Sequence, residues 1–182
     1  NIIEGMLMIS KLESGHKAIL EEQWFRLTSC ADGVYSRLDS IREKKQAVLH
    51  MDIPTDWELY GDPFYWTQIL FNLVENALKQ NTEPGLSITV AAAKTQDACV
   101  ITVTDTGVGI PAESIPFLFN RFYRVETHHS SEIRGTGLGL SIVKRAVEAH
   151  DGAITVSSIP HRETVFTITI PLKRFREEAK AS

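Results

Sequence analysis

The sequence predicts one α/β domain, with strands and helices interleaved, behind a single N-terminal helix. Three observations predict it. Apolar residues recur at helical spacing in four separate stretches. Runs rich in β-branched residues, of strand length, lie between and after them. No internal repeat or low-complexity tract interrupts the pattern. The chain has 182 residues, 43% hydrophobic and 23% charged, which is ordinary soluble composition and enough for one good core. A net charge of −4 and a pI near 5.9 give no global attraction to nucleic acid. Cys30 and Cys99 are far apart and lack a CxxC pattern, so they read as buried thiols rather than a disulfide scaffold or zinc site. No apolar run reaches the roughly 18 residues of a membrane span, and no signal peptide is visible.

Along the chain, "NIIEGMLMISKLESG" puts Ile2, Met6, Ile9 and Glu13 on one helical stripe, with Ser14 and Gly15 as the stop. This helix has little of its own chain to pack on, so a partner helix, missing or in another subunit, is expected. An extended "QWFRL" at 23–27 precedes a helix capped by Thr28 or Ser29 that carries Val34, Leu38 and Ile41 on one face. "AVLHMDI" at 47–53 reads as a strand. "DPFYWTQILFNLVENALKQ" reads as a helix with Asp62 as N-cap and Pro63 at its first position. "LSITVAAAK" and "ACVITVTD" form two strands around the turn "TQD". A long loop region holds one helical turn near Ile115–Phe119. The helix "LGLSIVKRAVEAH" stops near Asp151–Gly152, and the strands "AITVSS" and "TVFTITIPL" follow. The tail "KRFREEAKAS" is polar and reads as frayed.

Four stretches carry candidate chemistry. On the Pro63 helix, Asn72, Asn76 and Lys79 are spaced four and three, so they share one face of an otherwise apolar helix. Asparagine is a poor helix former, because its amide competes for backbone groups. Amide oxygens suit a hard cation such as Mg²⁺, and the lysine can meet phosphate; a surface stripe or a buried amide network would look the same. "DTGVGI", Asp105 to Ile110, follows an apolar strand. Its carboxylate can accept from an exocyclic amine such as adenine's while the glycines allow a flat ligand to approach, or it is a plain glycine turn. "GTGLGL", Gly135 to Leu140, opens a helix and makes an anion site of backbone N–H groups; glycines for tight helix packing are the alternative. It is neither a dinucleotide fingerprint nor a P-loop. In "FLFNRFYR", Phe119 and Phe122 form a hydrophobic plug or a clamp, and Arg121 and Arg124 reach phosphate or solvent. In this order the four describe one site with a metal ligand, an adenine reader, a lid and a phosphate cradle.

"NLVENALK", "DTGVGI", "FNRFYR" and "GTGLGL" resemble the N, G1, F and G2 boxes of the ATP-binding domain of sensor histidine kinases, a branch of the gyrase, heat-shock chaperone and mismatch-repair ATPase superfamily. The resemblance covers roughly Val48 to Leu172. It implies a two-layer α/β sandwich: a mixed, mostly antiparallel sheet of about five strands with three helices on one face, plus the N-terminal helix. "MLMISKLESG" resembles the end of the second helix of the dimerisation and phosphoacceptor domain. The implied division is 1–15 for that helix, 16–22 for a linker, 23–174 for the ATP-binding domain and 175–182 for a polar tail.

Carried over, the resemblance makes Asn76 the Mg²⁺ ligand, with Asn72 and Lys79 beside it at the phosphates. Asp105 accepts the adenine amine, with Gly107, Gly109 and Ile110 in the turn. Gly135, Thr136, Gly137, Leu138, Gly139 and Leu140 form the lid end, and Arg121, Tyr123 and Arg124 the lid side. The implied cofactors are ATP and Mg²⁺. Two positions depart: the family usually has an aromatic residue or histidine after the lysine, then Ser or Thr, where Gln80 and Asn81 stand here. Looser packing near the base is expected.

The family's acceptor is a histidine followed by an acid on a helix. Of the six histidines, none has that context: His16, His50 and His161 lie elsewhere, His128 and His129 fall in the lid region, and His150 ends a helix. The acceptor is therefore expected upstream of Asn1. The expected activity is transfer of the γ-phosphoryl group of Mg·ATP to that histidine, for relay to a response regulator. A homodimer, a cytoplasmic location for this part and membrane attachment only through other segments are also implied. A serine kinase or other ATPase of the superfamily, or a nucleotide-sensing interaction module, are the competing readings.

Overall fold

The computed structural model describes residues 1–13, 20–125 and 136–178. Its main sheet has five strands: β2 (Val48–Asp52), β4 (Ser87–Lys94), β5 (Ala98–Asp105), β7 (Glu163–Pro171) and β6 (Ala153–Ile159), in that spatial order. Strands β2 and β4 run parallel and every other pairing is antiparallel. One face is apolar by simple alternation. Ile88 and Val90 of β4, Cys99, Ile101 and Val103 of β5, and Phe166, Ile168 and Ile170 of β7 are all buried. Helices α2 (Leu27–Lys44), α3 (Pro63–Gln80) and α4 (Gly139–Ala149) cover that face, with α3 between the other two. The expected sandwich of a mixed five-stranded sheet and three helices is the observed fold.

Helix α3 is the centre of the core. Trp66, Ile69, Leu70, Leu73, Val74, Ala77 and Leu78 are buried, a wide apolar stripe at three- and four-residue spacing. Its start is fixed as its sequence requires: the Asp62 carboxylate accepts from the Phe64 N–H at 2.9 Å, and Pro63 stands at the first helical position. His150, fully buried at the end of α4, locks this start from behind. Its Nδ1 lies 2.7 Å from the Ala146 carbonyl, and its Nε2 accepts from the Asp62 N–H at 3.0 Å. Nδ1 therefore carries the proton, and the ring is neutral.

Three expectations need correction. Helix α2 begins at Leu27, directly off strand β1 (Gln23–Arg26), with no side-chain cap from Thr28 or Ser29. Leu27, Cys30 and Ala31 are buried, and that packing sets the start. A strand the sequence reading missed, β3 (Trp57–Gly61), is the centre of a second, three-stranded antiparallel sheet, β1–β3–β8. The third strand, β8 (Phe175–Glu177), lies in the tail expected to fray. Phe175 is buried and meets Trp57 edge to face at 4.9 Å, which holds the tail down. Arg174 adds a side-chain tie: it pairs with Glu22 at 2.9 Å and Asp151 at 3.0 Å, and donates to the Tyr60 carbonyl.

Helix α1 (Ile2–Glu13) finds a partner within the chain. Ile9 is buried against Leu138 and Ile142 at the start of α4. The contact is close: a Cβ on Gly5 would sit 2.9 Å from Leu138 Cδ1. Ile2, Ile3 and Leu7 remain exposed. The proposed stop at Ser14 and Gly15 lies outside the described residues. Among the described residues no helix is long and apolar enough to cross a membrane.

Candidate functional site

A cavity of about 600 Å³ opens at the end of β5, between α3, the start of α4, the β6–β7 turn and α1. Twelve of the sequence-predicted residues line it: Asn72, Asn76 and Lys79 on α3; Asp105, Gly109 and Ile110 after β5; Tyr123 and Arg124; and Thr136, Gly137, Gly139 and Leu140. Gly135, His128 and His129 fall outside the described residues.

The alternation that builds the core also places Asp105. It continues the row Cys99, Ile101, Val103 on the helix-facing side of β5, one step past the last apolar member. The residue is only 7% exposed. Burial pushes its pKa up to about 6, against the hydrogen bonds from the Gly107 N–H at 3.0 Å and from the Asn81 side chain. A buried carboxylate with no cationic partner among the described residues is suited to receive a donor supplied from outside.

The turn after Asp105 is tied down on both sides. Val108 N–H donates to Asn81 Oδ1 at 2.7 Å, and Ile110 N–H donates to Ser158 Oγ at 2.8 Å. Gly109 has φ +75°, and a Cβ there would lie 2.8 Å from the Ile159 carbonyl oxygen, so that position requires glycine. Gly137, at φ +72°, is clamped by Phe122: a Cβ would meet Phe122 Cα at 2.7 Å, and Phe122 N–H donates to the Gly137 carbonyl at 2.8 Å. The aromatic pair thus divides its work. Phe119 packs into the core against Phe166, while Phe122 uses its backbone and leaves its ring exposed.

On α3, Asn72 Nδ2 donates to the Gly139 carbonyl at 3.3 Å and ties α3 to the first residue of α4. The Asn76 side chain has no hydrogen-bond partner among the described residues and faces the cavity. Lys79 pairs with Glu75 at 3.2 Å. Helix α4 begins without a side-chain cap, so its first N–H groups are open to an anion.

Three predicted residues do not line the cavity. Leu138 is fully buried against α1. Gly107 lies under Asn81. Arg121 is turned away: its guanidinium pairs with Glu13, which Arg145 also meets at 3.1 Å, so it joins α1 to the loop. These pairs hold the Glu13 carboxyl below the usual carboxylate range. Among the lining residues outside the predicted set, Gln68 and Glu75 stand on α3. Both follow from the spacing already in hand, since 68, 72, 75, 76 and 79 fall on one helical face. The expected loosening around Gln80 and Asn81 is not observed: Asn81 is buried and hydrogen-bonded.

Residues 61–174 match the family of histidine kinase-, DNA gyrase B- and HSP90-like ATPases. Over 180 residues, 97% of this chain, it is 32% identical to the sensor histidine kinase WalK of Bacillus subtilis. Over 143 residues, 76% of the chain, it is 38% identical to the adaptive-response sensory kinase SasA of Synechococcus elongatus. The chain spans 29% and 36% of the lengths of these two relatives. Among solved structures, the catalytic domain of histidine kinase ThkA matches with a TM-score of 0.70 and 26% identity, covering 83% of this chain and 95% of that one. Full-length ShkA in complex with AMPPNP matches with a TM-score of 0.78 at 23% identity, covering 98% of this chain and 36% of that one, a likeness of fold.

Proposed function

The chain belongs to the histidine kinase-, DNA gyrase B- and HSP90-like ATPase family, and from that premise we propose that it binds Mg·ATP and supplies the γ-phosphoryl group to a histidine on a dimerisation helix outside these residues. The phosphohistidine would then pass its group to a response-regulator receiver domain. The observation that carries the reading is the single cavity in which Asn72, Asn76 and Lys79 face Thr136, Gly137 and Gly139, with Asp105 at its base.

Phosphoryl transfer needs positioning and charge neutralisation more than covalent chemistry from the protein. In this reading, Asp105 accepts the adenine amine, and the turn through Gly109 lets the flat base lie close. The open N-terminus of α4 and Lys79 receive the phosphates. The donor set fits Mg²⁺: Asn76 offers an uncommitted amide oxygen and Glu75 a carboxylate, both hard ligands. Among the described residues no cluster of three histidine, cysteine or acidic side chains could hold a metal alone. The fit is therefore to a cation shared with ATP phosphates, which would neutralise charge on the transferring group. His150 cannot serve as acceptor, since both ring nitrogens are engaged and it is fully buried.

The test is titration calorimetry with ATP, with and without Mg²⁺, followed by incubation with γ-labelled ATP. Mg²⁺-dependent ATP binding without acid-labile label on this chain alone is expected. No ATP binding, or stable acid-labile label on this chain alone, overturns the reading.

A further inference from the structure

We propose that Asn81 is a positioning residue for base selection, holding the Asp105 carboxylate and the turn after it in the geometry that favours adenine. The inference rests on the ATP-binding reading above.

Asn81 is the first residue after α3 and is only 5% exposed. Its Oδ1 accepts from the Val108 N–H at 2.7 Å, and its Nδ2 donates to the Ala77 carbonyl at 2.7 Å. The side chain also favours the charged form of the Asp105 carboxyl. Its own carbonyl accepts from Lys45 Nζ at 3.0 Å. A carboxamide has one acceptor atom and two N–H donors; Val108 takes the acceptor and Ala77 one donor, which leaves a donor to favour the Asp105 carboxylate. Ser or Thr offers one donor on a shorter arm and cannot span the same three.

Asparagine is also common where a helix ends in the left-handed conformation. That reason fails here: Asn81 has φ −109° and ψ 125°, ordinary extended backbone. Its side chain explains it instead. A Cβ on Gly107 would lie 1.9 Å from Asn81 Oδ1, so Gly107 leaves the space that this amide fills. Asn81 thus couples the end of the phosphate-side helix to the turn that carries the base reader. Three influences act on the titration of Asp105: burial, the Gly107 N–H and this amide. Its neighbour across the sheet, Thr164, is neutral, and Lys45 reaches only the Asn81 carbonyl. The other ionisable side chains lining the cavity are Glu4, Glu75, Lys79, Tyr123, Arg124 and His161.

The test compares the wild-type chain with Asn81→Ala and Asn81→Asp. Mg·ATP and Mg·GTP are titrated at pH 7.5, and Mg·ATP from pH 5 to 8, with circular dichroism melts confirming folding. Asn81→Ala is expected to weaken ATP about tenfold, the value of one hydrogen bond to a charged group, and to weaken GTP less. The acidic limb of its ATP-binding profile moves to higher pH, because a donor that favoured the Asp105 carboxylate is gone. Asn81→Asp keeps the acceptor for Val108 but sets a second carboxyl beside Asp105, so its limb moves up further. It carries the same test if the alanine variant does not fold. A lowered melting temperature with an unchanged ATP-to-GTP ratio and an unmoved acidic limb overturns the proposal. A wild-type chain that binds no ATP overturns the functional reading instead.

Discussion

Replacing Asp105 with asparagine should make the ligand-free protein more stable while removing its grip on ATP. The side chains are nearly the same shape, and asparagine's oxygen can still accept from the Gly107 N–H. What changes is the cost of a buried charge. Asp105 has a pKa of about 6 when folded, against an ordinary 3.8. Below the lower value the carboxyl is protonated in both states and costs nothing. As pH rises between the two, the unfolded chain ionises first and stability falls; above the higher value the full cost is present. At 1.36 kcal/mol per pH unit that cost is about 3 kcal/mol. Asp105→Asn should therefore gain up to ~3 kcal/mol at pH 7.5 and roughly half of that at pH 5, read by urea denaturation at both. ATP affinity should fall tenfold or more, because a donor amide would face a donor amine. A variant no more stable than wild type at pH 7.5, or one that gains more at pH 5, would refute the argument.

Other substitutions separate the roles of neighbouring residues. Asn76→Ala should reduce Mg²⁺-dependent ATP binding strongly and Gln80→Ala far less; calorimetry giving the reverse order would mean that the wrong side chain has been placed at the phosphates. Burial holds the His150 pKa below its ordinary value, so protonation favours the unfolded chain. Its contribution is complete above about pH 6.5 and is lost as pH falls. Asp105 acts in the opposite direction, so the His150 contribution is read as the difference between wild type and His150→Gln: the variant should be less stable by roughly 1–3 kcal/mol at pH 7.5 through the lost Asp62 contact, and the gap should narrow in melts taken toward pH 5. Phe175→Ala should cost about 3–5 kcal/mol, as for other buried aromatic residues; a change within 0.5 kcal/mol, the range typical of surface sites, would mean that the tail does not hold.

The residues most legible in the sequence are those whose role is written in local pattern. Asp62 and Pro63 announce α3, β-branched alternation gives β4 and β5, and the spacing of Asn72, Asn76 and Lys79 gives a shared face. Strand β3 is hidden because its five residues lie between Pro54 and Asp62, among turn-forming residues. Strand β8 is hidden because one buried phenylalanine in a charged tail carries no periodicity. The Arg121 pairing is hidden for a different reason. A guanidinium suits phosphate and carboxylate alike, and only the fold brings Glu13, more than a hundred residues away, to its side. Asn81 departs from the family pattern in sequence, and its role stays hidden there because its side-chain partners lie at 77 and 108, of which only the first is local.

The wall that α1 contributes to the cavity has a thermodynamic consequence. Asn1, Glu4, Gly5 and Met8 line the same space as Asn76 and Asp105, and α1 is held there by Ile9 and the Glu13 pairs. A ligand in that space therefore meets different surroundings when the helix is seated and when it is away. If the two arrangements differ in affinity by some factor, the ligand must change the seating equilibrium by that same factor. Occupancy of the cavity and the position of a helix outside the sandwich are then two readings of one quantity.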